Sequence, residues 1–107
     1  MNFLQGTLDV LVLRALARGP LHGYDVVDWI REGSGGVLEI EEGALYTALH
    51  RMEAREWLCA EWANSPKGRR AKYYRLTSEG RRQLRQGERE WTRFSGAVSG
   101  IFRRGDA

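Results

Sequence analysis

Two alternating segments separated by a run of turn-forming residues limit the fold of this chain more than any other feature. Leu58, Ala60 and Trp62 alternate with Cys59 and Glu61, and Lys72, Tyr74 and Leu76 alternate with Ala71, Tyr73 and Arg75. Period-two alternation marks a strand with one covered face. Asn64-Ser65-Pro66-Lys67-Gly68 lies between them, and these residue types favour tight turns. The pattern predicts a β-hairpin, with helical patterns before and after it.

Three helical patterns precede the hairpin. The first runs from about Thr7 to Arg18 and stops at Gly19-Pro20. Leu4, Leu8, Leu11, Val12, Ala15 and Leu16 form one face, and Phe3, Val10, Leu13 and Ala17 the opposite one. A helix apolar on both sides must be covered on both sides. So short a chain has little material to do this, so the second face points to a partner subunit. The next helix is predicted from Gly23 to just before Gly33, with Tyr24, Val27 and Ile30 inward and Trp29 beside them. Ser34-Gly35-Gly36 then breaks the chain, and Val37-Leu38-Glu39-Ile40 reads as a short extended piece. The third helix spans about Glu42 to Arg55. Leu45, Ala48, Leu49 and Met52 make an i, i+3, i+4, i+7 stripe, which leaves Gly43, Thr47, His50 and Ala54 outward and Tyr46 and Arg51 on the flanks.

One long helix follows the hairpin. Thr77 is its expected N-cap and Glu79 favours its positive end. Leu84, Trp91 and Val98 recur every seven residues, as do Gly87, Phe94 and Ile101, which makes a seam suited to pairing with another helix. Packing of the same stripe on its own domain is the alternative. The expected fold is therefore mainly α with a small β-hairpin: a winged helix-turn-helix plus a C-terminal dimerisation helix. Residues 1–77 would form the winged-helix domain and residues 78–107 the dimerisation helix, as one compact unit. Val10, Leu13, Leu84, Trp91, Phe94, Val98 and Ile101 are the expected dimer contacts.

Charge is distributed unevenly along the 107 residues. Residues 1–62 hold five Arg against ten acids, a net of −5, whereas residues 63–77 hold Lys67, Arg69, Arg70, Lys72 and Arg75 with no acid. Positive charge packed into a hairpin suggests phosphate contact, although a solvated charged turn has the same composition. No apolar run is long enough for a bilayer span, the first residues lack the pattern of a signal peptide, and the single Cys59 has no partner for an internal disulfide, so a reducing cytoplasm is expected. Enzyme readings fail on inventory: His22, His50 and Cys59 lack metal-ligand spacing, and no phosphate loop or nucleophile motif is present. No cofactor and no metal is expected.

Several motifs together resemble those of one family. Gly6-Thr7-Leu8-Asp9, Leu21-His22-Gly23-Tyr24, Glu41-Glu42-Gly43-Ala44-Leu45-Tyr46, Ala48-Leu49-His50-Arg51-Met52-Glu53 and Arg69-Arg70-Ala71-Lys72-Tyr73-Tyr74-Arg75-Leu76-Thr77 resemble the PadR family of transcriptional regulators, in order, over roughly residues 5 to 80. The single last helix is similar to that of the family's short branch. The resemblance implies a winged-helix homodimer that binds double-stranded DNA and represses target genes, with release by a small ligand in some members, and the two-fold symmetry of such a dimer predicts a palindromic operator. Thr47 departs from the proline common at its position, and Glu56 from the glycine that often ends the recognition helix. A non-glycine residue there is strained wherever φ is positive.

Candidate sites follow from these placements. Tyr46, Thr47, His50 and Arg51 are the recognition-helix candidates for reading base edges. Packing of Tyr46 on the hairpin and pairing of Arg51 with a nearby Glu are the alternatives. Lys67, Arg69, Arg70 and Lys72 on the wing, with His22 and Tyr24 at the start of the second helix, are the phosphate candidates. Glu39, Glu41 and Glu42 are expected to point aside or to cap the third helix. Trp91 and Phe94 either fill a dimer core or, as the resemblance to the short branch implies, line a cavity for a flat aromatic effector. Trp29, Trp57 and Trp62 read as core or hairpin packing. A rival function is a winged-helix protein–protein interaction module that docks through its acidic half and does not bind specific DNA.

Overall fold

The computed structural model describes residues 3–105, with side chains from residue 6 onward. Phe3 and Leu4, assigned above to the two faces of the first helix, lie outside the described side chains. In chain order the elements are α1 (Phe3–Ala15), β1 (Leu21–His22), α2 (Gly23–Gly33), α3 (Glu42–Ala54), β2 (Leu58–Asn64), β3 (Arg70–Leu76) and α4 (Ser78–Phe102).

The hairpin forms as its alternation predicts. β2 and β3 pair antiparallel, with Leu58 opposite Leu76, Ala60 opposite Tyr74 and Trp62 opposite Lys72. Ser65 organises the turn: its hydroxyl accepts from Arg69 N at 3.2 Å and its carbonyl from Gly68 N at 2.8 Å. Gly68 has φ +80°, a left-handed conformation that favours glycine. The third strand is not the expected Val37–Ile40 piece, which makes no ladder. Leu21 and His22 instead pair with Tyr74 and Tyr73 and occupy the open edge of β3, giving the order β1-β3-β2.

The core lies between α1, α2, α3 and the inner face of the sheet. The predicted α3 stripe of Leu45, Ala48, Leu49 and Met52 is buried in full. In α2 the inward side is rotated from expectation. Gly23, Val26 and Ile30 are buried, and Tyr24 is 62% exposed. The absence of a side chain at Gly23 explains the rotation, because a Cβ there would fall 2.8 Å from Tyr46 Oη. The Tyr46 ring takes the place that an inward Tyr24 would have filled.

α1 also departs from expectation. Its second face is covered to a large extent by this chain's own α4, which runs back across it. Leu13 is 1% exposed and belongs to the core, and Val10 packs so closely on α4 that Gly87 has no room for a Cβ. Leu84 is likewise a core residue. The expected dimer contacts Val10, Leu13 and Leu84 are thus used within the chain.

α3 and α4 are locked together at one junction. Glu56 turns the chain with φ +63°, the positive value at which a non-glycine residue is strained. Trp57 N then closes back on Met52 O at 2.9 Å. The Trp57 carbonyl accepts from Thr77 N at 3.0 Å, and the Thr77 hydroxyl donates toward the Glu56 and Trp57 carbonyls at 2.6 and 3.0 Å. That hydroxyl also caps α4, accepting from Gly80 N at 3.0 Å, as the sequence predicts. Gly80 lies so close to the Trp57 carbonyl that any Cβ would overlap the oxygen.

Candidate nucleic-acid interface

The outward face of α3 carries small and polar groups because its other face is occupied by the core. Gly43, Ala44, Thr47, His50 and Ala54 are all exposed. Thr47 and His50 lie one turn apart on this face. Tyr46 is half-buried against Gly23. Burial first, then the neighbouring Tyr24 and Glu42, push its phenol above the ordinary value, so its hydroxyl stays protonated at neutral pH.

Arg51 does not point out with them. Its guanidinium pairs with the Asp9 carboxylate of α1, and its Nε is buried without a hydrogen-bond partner. In this structure Arg51 ties α3 to α1: it sits on the flank of the helix, as expected, but paired with Asp9 of α1 and not with a Glu. Burial pushes the Asp9 carboxyl above its ordinary value, although Arg51 and Arg55 pull it down.

The wing divides into exposed cations and one tied to α3. Lys67, Arg69 and Arg70 are exposed at or beside the tip. Lys72 is not free: its ammonium donates to Glu53 of α3 at 3.1 Å, and this bond holds it above its ordinary pKa. Lys72 therefore braces the wing against α3. His22 is engaged as well. Its Nδ1 caps α2 by accepting from Asp25 N at 3.3 Å, its Nε2 is 3.2 Å from Asp25 Oδ2, and its ring meets Tyr73 edge-on at 5.4 Å. Tyr24 stands exposed at the start of α2, where its hydroxyl donates to Glu42 at 3.4 Å. Glu39 points aside toward Arg31, and Glu41 occupies the α3 N-cap without a side-chain bond.

A groove of about 1110 Å³ lies between α1, the α2–α3 loop and α4. Val10, Leu13, Leu38, Trp57, Trp91 and Phe94 are among its lining residues, and Asp9 reaches it from α1. Trp91 and Phe94 sit 6.1 Å apart at a tilt of 47°. Trp91 is half-exposed, Val98 partly buried and Ile101 68% exposed. The heptad seam therefore splits: its first turns pack inside the chain, and its later turns are open.

Sequence reasoning missed the roles of two residues in this region. Asp9 is the partner of Arg51. Trp62 was expected to pack, yet it is 57% exposed, with the Arg70 guanidinium 5.8 Å from its ring centre. Its position in the alternating run beyond Ala60 was the available signal.

A sequence profile described as the transcriptional regulator PadR-like family matches residues 12–86, which include α2, α3 and the whole wing. The chain belongs to the PadR family. Solved PadR-like structures share its architecture. A transcriptional regulator from Clostridium thermocellum superposes with a TM-score of 0.82 at 27% identity, covering 94% of this chain and 97% of that one. A PadR family transcription regulator from Clostridium difficile superposes with a TM-score of 0.73 at 34% identity, covering 89% and 96%. In sequence the chain is 30% identical over 90 residues to an uncharacterized protein of Lysinibacillus sphaericus, 83% of which it spans. It is 39% identical over 90 residues to a 37.1 kDa transposon protein of Streptomyces fradiae, of which it spans only 24%. These comparisons place the protein among PadR transcriptional regulators with a winged-helix fold. Among the described residues, no helix is long and apolar enough to cross a membrane, and no three His, Cys, Asp or Glu side chains gather as metal ligands would.

Proposed function

We propose that this PadR protein is a homodimeric repressor that reads a near-palindromic DNA operator with α3 and grips the flanking backbone with its wing. One observation carries the reading: the open polar face of α3 at Thr47 and His50 lies beside a wing whose exposed cations, Lys67, Arg69 and Arg70, have no acid in the same segment. Base edges are read by short hydrogen-bonding side chains on a helix, and phosphates by cations that release counterions. A pure protein-docking module has no need of such a wing. Tyr46 and Tyr24 border the reading face. In this reading Arg51 and Lys72 hold α3 and the wing in place, and residues 1–77 contact DNA while residues 78–107 chiefly pair the chains. The open later turns of α4, with Trp91, Phe94, Val98 and Ile101, supply the pairing surface.

The groove beside Trp91 and Phe94 suits a flat aromatic effector, whose binding would release the operator. The deciding experiment is selection from a random duplex library, followed by binding of the enriched sites at several salt concentrations. Two-fold symmetric sites are expected, with half-site centres about 10 base pairs apart or a multiple of that. Thr47→Ala is expected to relax one position in each half-site. Arg69→Ala with Arg70→Ala is expected to weaken all sites alike and to lower the salt slope by about 0.9 for each phosphate no longer neutralised. Asymmetric sites, or a slope indifferent to the wing, would overturn the assignment.

A further inference from the structure

We propose that Trp62 is a DNA-contact residue of the wing, its open indole face lying against the deoxyribose edge of the duplex that α3 reads. The proposal rests on the DNA-binding reading above and adds to it a residue, a chemistry and a different response to salt.

The register of the hairpin places the ring. Ala60 stands opposite Tyr74, Trp62 opposite Lys72, and Asn64 opposite Arg70. Directly opposed residues in an antiparallel pair share a face. Tyr74 on that face is buried in the core, and Lys72 reaches Glu53 of α3 at 3.1 Å. Trp62 is thus on the α3-facing side of the wing, one step past the point where the helix still covers it, and it emerges 57% exposed. A duplex seated on the outward face of α3 meets this side of the wing first.

The surroundings select the partner. Arg70 covers part of the indole at 5.8 Å, a cation held on a ring face. Arg69 and Lys67 follow at the tip, and residues 63–77 contain no acid. An uncharged apolar partner would have to bury these cations unpaired, which is costly. Nucleic acid supplies both parts of the match, because each phosphate is joined to an apolar sugar edge. The cations take the phosphates, and the ring takes the sugar between them. The indole contact releases no counterion, so it adds affinity without adding salt dependence.

The test measures duplex binding of the full chain, Trp62→Ala, Trp62→Phe and Arg70→Ala across a salt series, on one duplex, with sedimentation of each chain alone. Trp62→Ala is expected to weaken binding about tenfold at every salt concentration, with a slope parallel to that of the parent. Trp62→Phe should recover part of the loss, and Arg70→Ala should lower the slope. Parent-like affinity in Trp62→Ala overturns the proposal. So does a loss that appears only as the Arg70→Ala change in slope, since the ring would then merely order the guanidinium. A change in mass of Trp62→Ala without DNA overturns it too, because the ring would then be covered by another copy of the chain. If the parent itself binds no duplex, the DNA-binding reading fails; if the parent binds and Trp62→Ala equals it, only the assignment of Trp62 fails.

Discussion

Arg51 of α3 is held by Asp9 of α1, across 42 residues of sequence. The pair joins the helix that faces outward to the helix that lines the groove. Both side chains are mostly buried, at 23% and 12% exposure, so solvent screens the pair little.

Arg51→Met should therefore cost about 1–3 kcal/mol at neutral pH, because it leaves the ionised Asp9 carboxylate, whose burial is already unfavourable, without its counter-charge. The pH dependence has a definite sign. The folded chain raises the Asp9 pKa above its ordinary 3.8, so between these two values the folded state binds the proton more tightly than the unfolded chain does. The contribution of this group to stability is thus greatest below 3.8, declines as pH rises through the raised value, and is level above it. Denaturant melts of Arg51→Met at neutral pH check the cost, and melts of parent and Asp9→Asn from acidic to neutral pH will show whether their difference follows that course.

Two glycines of α4 should answer the same substitution in opposite ways. Gly96 faces open space, so Gly96→Ala should add about 0.5–1 kcal/mol through helix propensity alone. At Gly80 the same methyl meets the Trp57 carbonyl, a backbone atom fixed by two hydrogen bonds, and Gly80→Ala should cost about 3 kcal/mol. Thermal melts of the two variants check this directly, and equal effects would deny that the junction is tight.

Glu56→Gly should stabilise the chain by about 0.5–1 kcal/mol. Relief of the left-handed strain at φ +63° exceeds the extra freedom that glycine gives the unfolded chain. A higher melting temperature with unchanged DNA affinity is the expected result.

Gly87 and Val10 form a testable pair. Gly87→Ala alone places a methyl on the Val10 side chain and should cost about 1–3 kcal/mol despite better helix propensity. Adding Val10→Ala should return part of that loss, and a coupling energy near zero in the double-mutant cycle would mean that α1 and α4 do not touch there.

What the sequence made legible is what repeats at short range. The α3 stripe from Leu45 to Met52, the alternation through Tyr74 and Leu76, and the Thr77 cap each involve neighbours within one or two turns. The outward positions of Thr47 and His50 follow from that stripe. The two-residue strand Leu21–His22 is too short to show a period. Tyr24 misled because the inward contact of α2 is made at Gly23, where a missing side chain admits Tyr46. Arg51 and Lys72 were placed at correct positions with unforeseen partners, since Asp9 and Glu53 lie 42 and 19 residues away. Charge counts alone do not distinguish a free cation from a paired one.

The fixing of α4 at its first turn gives the helix mechanical advantage. Its 25 residues extend for roughly 37 Å, but its buried anchors are Gly80 and Leu84, close to one end. A tilt of about 5° at Gly80 becomes about 3 Å at Ile101, some 21 residues along the helix. In the proposed homodimer, whatever holds the far end would thus work as a fine adjustment, setting the separation of the two copies of α3 through residues remote from the DNA. If the proposed reading holds, operators of altered spacing would be matched by changes along α4, leaving the outward face of α3 untouched.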